Sequence, residues 1–231
     1  MPKSLLLQVR HTLKTHADPV KAPQMQRYMK SAMPYHGVQT PLRRALCRDI
    51  FNELDFANSR TWKNHILELW IGAKFREERY AALDLAAHRK AKGFQTMSML
   101  STYEKMIISG AWWDYVDDIA HRLGEILRNE PAKMKSKMLA WSTSSDIWKR
   151  RSSIICQLDF KRETDLHLLY RCIEPSLTSQ EFFLQKAIGW ALRQYAWTDA
   201  KEVIKYVHLH HTKLSPLSRR EALKNLHKLA K

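Results

Sequence analysis

The stretch Trp112-Trp113-Asp114-Tyr115-Val116-Asp117-Asp118 opens an acidic island in a basic chain: residues 110 to 130 carry Asp114, Asp117, Asp118, Glu125 and Glu130 against Arg122 and Arg128. Val116, Ile119, Ala120, Leu123, Ile126 and Leu127 recur at helical spacing and fix which way that helix faces. Trp113, Asp117 and His121 then share one flank, with the Trp113 indole one turn below the Asp117 carboxylate. Arg151 continues the apolar series Ile147, Ile154, Ile155, Leu158, so it is expected to be partly buried and to need a partner. Asp117 is the nearest obvious one, and the pairing would keep that carboxylate ionised. The same pair would equally serve as a purely structural link.

A second constellation follows later in the chain. Ile188, Ala191, Leu192 and Tyr195 form a core stripe, and Lys186, Trp190, Arg193 and Trp197 share another face. Trp113 and Trp190 are offered either to a groove surface or to the packing between helices. Other groupings are weaker. Asp114 and Asp118 point away from Asp117 on a helix, which disfavours a Mg²⁺ site. His208, His210 and His211 match no zinc spacing, so no metal is expected. Phosphate-binding Gly-rich loops and the Gly-x-Ser-x-Gly and His-Glu-x-x-His motifs are missing.

What positions these residues is a repeat. Arg44-Ala-Leu, Arg79-Tyr-Ala-Ala-Leu, Asp117-Asp-Ile-Ala, Arg151-Ser-Ser-Ile, Lys186-Ala-Ile-Gly and Glu221-Ala-Leu follow one another at about 35 residues, the length of one helical hairpin. Strand-like alternation is nearly absent, and breaks fall at Asp18-Pro19, Thr40-Pro41, Asn129-Glu130-Pro131, Glu174-Pro175-Ser176 and Ser215-Pro216. The tetratricopeptide pattern is missing, so the repeats are expected to be short HEAT-like ones. The expected fold is all-α: an α-solenoid of about six helical hairpins with a basic concave groove, forming one domain over residues 1–231.

Composition points the same way. The chain has 231 residues with 39 Lys+Arg against 23 Asp+Glu, a formal charge of +16 that suggests a polyanionic partner. Its 6 glycines disfavour a sandwich or barrel rich in tight turns. Cys47, Cys156 and Cys172 are odd in number and far apart, which fits a reducing cytoplasm better than a disulfide framework. Leu5-Leu6-Leu7 is too short for a membrane span. Residues 1–48 hold nine bases and one acid, 131–162 eight and two, 201–231 eight and two. Regularly spaced cations suit a phosphate backbone. The candidates for duplex contact are Gln39, Thr40, Arg43, Arg44, Arg79, Lys149, Arg150, Lys186, Arg193, Arg219 and Arg220.

Several strings carry a resemblance: Arg27-Tyr28-Met29-Lys30, Gly37-Val38-Gln39-Thr40-Pro41, Trp112-Trp113-Asp114-x-Val116-Asp117, Ile147-Trp148-x-x-Arg151, Gln185-Lys186-Ala187-Ile188-Gly189-Trp190 and Leu217-Ser218-x-Arg220-Glu221-Ala222. In order and over nearly the full length, they resemble the HEAT-like-repeat DNA glycosylases, the AlkD-type DNA alkylation repair proteins. The resemblance implies excision of N3- and N7-alkylated purines from double-stranded DNA without metal or redox cofactor; a solenoid whose concave face is occupied has no evident need to dimerise, so a monomer is expected. It assigns catalysis to Asp117 and places Trp113, Trp190, Arg151 and Tyr28 around the lesion nucleotide, which is expected to stay stacked. Two other readings stay open on the residues alone: a non-catalytic solenoid that binds distorted or branched DNA, and a protein-binding scaffold.

Overall fold

The computed structural model describes residues 4–224 and 226. Among them are thirteen α-helices, a few short 3-10 turns and no strand. Chain contacts divide the protein into two compact units, Met1–Phe94 and Gln95–Lys231.

The first unit holds α1 (Leu5–Thr15), α2 (Lys21–Met29), α3 (Thr40–Asn52), α4 (Ser59–Gly72) and α5 (Arg76–Ala86). Helix α1 buries Leu5, Val9 and Leu13, spaced at one turn each, and packs against α3, α4 and α5. Helix α4 adds Trp62, Ile66, Leu69 and Trp70, all fully buried. Burial of each such large side chain is worth about 1.5 to 3 kcal/mol. The segment between α2 and α3 is held by two adjacent buried acids. The Glu77 carboxylate accepts the backbone N–H groups of His36 (3.0 Å), Gly37 (2.8 Å) and Val38 (3.1 Å). Gly37 has φ +87°, and a Cβ there would meet the Asp18 carbonyl oxygen at 2.1 Å, so only glycine fits. Glu78 is gripped by the Arg10 guanidinium (2.8 and 2.9 Å) and by the N–H of Lys74 (2.7 Å). Burial pushes the Glu78 carboxyl up, but Arg10, His36 and the Lys74 amide outweigh it and hold it at about 2.

The second unit comprises α6 (Leu100–Gly110), α7 (Trp113–Asn129), α8 (Pro131–Ser142), α9 (Ile147–Ile155), α10 (Leu166–Ile173), α11 (Phe182–Ala196), α12 (Ala200–Leu209) and α13 (Pro216–Leu223). Helices α7, α9, α11 and α13 pack side by side in that order. Helices α8, α10 and α12 form a second layer behind them. This is the stacked-hairpin arrangement of a HEAT-like α-solenoid. The boundaries sit where the punctuation expects them. Pro131 and Pro216 occupy first helical positions, and Asp146, Asp165, Asp199 and Ser215 cap α9, α10, α12 and α13 through their side chains. The α7 stripe from Val116 to Leu127 is buried as its spacing requires. Close approach of α11 to α13 depends on Gly189, where a Cβ would lie 2.5 Å from Glu221 Cβ and 2.9 Å from the Ser218 carbonyl oxygen.

Cys47, Cys156 and Cys172 are free and buried, and burial pushes the Cys47 and Cys172 thiols up to about 12. Among the described residues no helix is long and apolar enough to cross a membrane.

Candidate active site and basic surface

The 35-residue period places positions 117, 151, 186 and 221 in register on the four side-by-side helices of the second unit. Arg151 of α9 forks onto Asp117 of α7, Nε to Oδ1 at 2.6 Å and Nη2 to Oδ2 at 2.8 Å. Its remaining nitrogen, Nη1, donates to the Phe183 carbonyl oxygen of α11 at 2.6 Å. The arginine side chain is 5% exposed and the aspartate 15%, so this is an interior pair with one edge open to water. Burial pushes the Asp117 carboxyl above its ordinary value of 3.8, Arg151 pulls it back, and neighbouring Asp114 adds to the rise. The expected partnership of Asp117 and Arg151 is therefore present, as a two-bond fork.

The next two positions pair in the same way. Lys186 of α11 reaches Glu221 of α13 at 3.1 Å, and Arg193, two turns further along α11, binds the other oxygen of that carboxylate. Burial raises the Glu221 carboxyl, and these two cations more than reverse the rise. The row expected to be basic, with Asp117 in its middle, thus reads acid, base, base, acid in this unit, because residues in register on helices about 8 to 10 Å apart are within ion-pair reach.

Packing behind the Asp117–Arg151 pair is aromatic. Trp112, Trp148 and Phe183 stand at the amino-terminal ends of α7, α9 and α11, with ring centroids 6.3 Å (Trp112–Trp148), 5.5 Å (Trp112–Phe183) and 5.0 Å (Trp148–Phe183) apart. Their contacts fix the three helix ends that carry the pair. The buried Trp112 Nε1–H has no hydrogen-bond partner among the described residues. These three rings were not singled out as site residues, although their spacing of 36 and 35 repeats the period that located the charges. Trp113, at the first position of α7, is half-buried one turn before Asp117. Trp190 is also half-buried and leans on the apolar core of α9 to α13.

The other cations divide by what they hold. Lys149 binds Glu104 at 2.5 Å, and Arg150 donates to Ser176 Oγ and the Pro175 carbonyl. Arg219 donates to the His211 carbonyl at 3.2 Å and meets the His211 ring, while Arg220 is exposed at a cleft shared with Thr178, Ser179 and Gln185. His210 packs on the Tyr206 ring, so the histidine triplet is dispersed. In the first unit Gln39 and Thr40 are exposed at the start of α3, Tyr28 is 79% exposed on α2, and Arg44 is exposed while bonding Asp84 at 3.0 Å. Arg79 is half-buried over the Trp70 ring at 4.8 Å. Arg43 is turned inward. It is 5% exposed, lies over the Tyr80 ring and grips Asp84 at 2.8 Å, so it serves the interior of the unit and not a phosphate. Among the described residues no cluster of three or more His, Cys, Asp or Glu side chains is arranged to hold a metal ion.

The sequence profile of the DNA alkylation repair enzyme family matches residues 9–226. A solved structure described as a predicted DNA alkylation repair enzyme from Enterococcus faecalis superposes with a TM-score of 0.82 at 29% sequence identity, over 92% of this chain and 97% of that one. No curated protein sequence matches significantly.

Proposed function

The chain belongs to the DNA alkylation repair enzyme family, and we propose that within it the protein is a monofunctional DNA glycosylase that removes N3- and N7-alkylated purines from duplex DNA. The observation that carries this reading is the largely buried Asp117 carboxylate, open to water at one edge, held by Arg151 and set one turn beyond an indole.

The chemistry needs little more. An N3- or N7-alkylated purine already bears a positive charge, so cleavage of its glycosidic bond requires no proton on the leaving base. Charge moves instead onto the sugar, which takes oxocarbenium character. A preorganised carboxylate beside the sugar stabilises that charge and orients the attacking water, and removal of such a group costs about 3 kcal/mol of barrier. Indole faces at Trp113 and Trp190 add cation–π attraction of about 0.5 to 2 kcal/mol each. Arg151 fixes the carboxylate in place and keeps it ionised against the burial that would protonate it.

The duplex is held through its backbone by Lys186, Arg193, Arg219 and Arg220, with Lys149 and Arg150 beside Arg151. Tyr28, Gln39, Thr40, Arg44 and Arg79 of the first unit add further DNA contacts. The enzyme acts as a monomer in the cytoplasm, without metal or other cofactor, and the lesion is read while stacked. The second reading is a non-catalytic binder of distorted duplexes. What favours it is that Arg151 occupies both oxygens of Asp117, as a structural pair would.

Release of free 7-methylguanine and 3-methyladenine from methylated duplex DNA tests the choice. Release that survives a chelator and collapses in Asp117→Asn is the expected result. Intact duplex binding with no release by the unmodified protein would establish the non-catalytic reading instead.

A further inference from the structure

Hydrolysis of the glycosidic bond leaves one proton to be discharged, and Asp117 is poorly placed to take it. The C1′–N bond breaks with its electron pair passing to the purine, whose positive charge is thereby neutralised. The oxygen of water then bonds C1′ and one water proton must go to a base. Both Asp117 oxygens already accept short bonds from a guanidinium, and the carboxylate is committed to the sugar cation, so a second acceptor on the same flank is better placed for the proton.

His121 lies one turn beyond Asp117 on the same flank of α7, and its side chain is 34% exposed. Its Nδ1 is 2.5 Å from Asp159 Oδ2 in the turn that follows α9. An ionised carboxylate only accepts, so Nδ1 carries the proton and Nε2 is the basic nitrogen. Asp159 is itself fixed to α7, since Arg128 donates to its backbone carbonyl at 3.0 Å and packs over the adjacent Phe160 ring. Along α7 the charged neighbours of His121 are Asp117 and Asp118 one turn before and Glu125 one turn after, the last bonded to Arg122. From α9 and its following turn they are Arg151, already committed to Asp117, and Asp159. Among the described residues the one hydrogen bond His121 makes is to Asp159.

We propose that His121, oriented by Asp159, is the base that accepts the proton of the attacking water beside Asp117, and then passes it to solvent. The inference rests on the glycosylase reading. It divides the labour between two groups: Asp117 stabilises the sugar cation and His121 activates the nucleophile.

Single-turnover excision of 7-methylguanine from duplex DNA, followed across pH for the unmodified protein, His121→Gln and Asp159→Asn, is the test. The substrate is already cationic and its departure needs no proton, so an acid limb in the imidazole range belongs to the protein. The unmodified protein should show that limb. His121→Gln should lose it and run about tenfold slower on the plateau, the lower side of what a positioned base contributes. Asp159→Asn, which is isosteric, should slow the plateau rate by less than His121→Gln does, because it loosens the ring's orientation and keeps the imidazole. If His121→Gln keeps the limb and the plateau rate, the dyad is only a strut between α7 and the turn, and the inference falls while the glycosylase reading stands. If the unmodified protein releases no base, the glycosylase reading itself fails and takes the inference with it.

Discussion

Replacing Arg151 by methionine keeps most of the side-chain length and removes three hydrogen bonds, two to Asp117 and one to the Phe183 carbonyl. Stranding one member of a buried ion pair costs about 3 to 5 kcal/mol. Asp117 is 15% exposed, so water reaches one edge of it and the lower figure applies, about 3 kcal/mol. The same loss moves the Asp117 titration upward, because the group that opposes its burial is gone. The sign follows from the groups present. Burial already raises the Asp117 carboxyl and Arg151 alone opposes it strongly, so losing Arg151 can only raise it further. Carboxyl-carbon NMR of aspartate-labelled protein reads this directly, with the Asp117 signal assigned by its loss in Asp117→Asn. Urea unfolding gives the second readout. Arg151→Met should lose about 3 kcal/mol, and Arg151→Met/Asp117→Asn should regain more than half, because no charge is then left buried. An Asp117 titration unmoved in Arg151→Met, or a double variant no more stable than the single one, would refute the reasoning.

Three other outcomes are expected. Glu78 is held at about 2 against an ordinary value of 4.5, so its contribution is present above pH 4.5 and drains away as the pH falls toward 2. Unfolding free energies from urea titrations at pH 5 and pH 3 should therefore differ by about 2 kcal/mol more in the unmodified protein than in Glu78→Gln. Glu221→Gln removes the carboxylate that competes with phosphate for Lys186 and Arg193, so undamaged duplex should bind more tightly; unchanged affinity means neither cation reaches phosphate. Gly189→Ala drives a methyl into Glu221 Cβ and the Ser218 carbonyl and should cost about 1 to 3 kcal/mol of stability by thermal unfolding.

How much of this was legible in the sequence depended on whether the signal was periodic. The 35-residue interval and one buried arginine on an apolar stripe were enough to pair Asp117 with Arg151. Prolines and short polar residues located helix starts at 131 and 216 because capping is local chemistry. The same stripe argument applies to Arg43: Arg43, Cys47 and Phe51 are one turn apart and all buried, which turns Arg43 inward and leaves Arg44 outside. Glu77 and Glu78 were invisible for a better reason. Acids in the first turn of a helix are ordinary surface residues favoured by the helix dipole, and nothing nearby announces that a loop forty residues earlier will fold over them. The aromatic trio at 112, 148 and 183 fell between these cases, since its period was readable but its register on the helix ends was not.

Repeat proteins change length by copying or dropping whole units. In the second unit, however, the charges at the repeat positions are matched two by two, Asp117 with Arg151 and Lys186 with Glu221. Excising the hairpin of α10 and α11 would leave two acids to compete for one arginine. Duplicating it would add a lysine whose acid is already taken. Excision strands a carboxylate that the interior hydrates poorly, whereas the extra lysine of a duplication stays in reach of water, so the loss of a single hairpin here is resisted more than its gain. Relatives that lose a single hairpin in this region should also recode the charge at the next one.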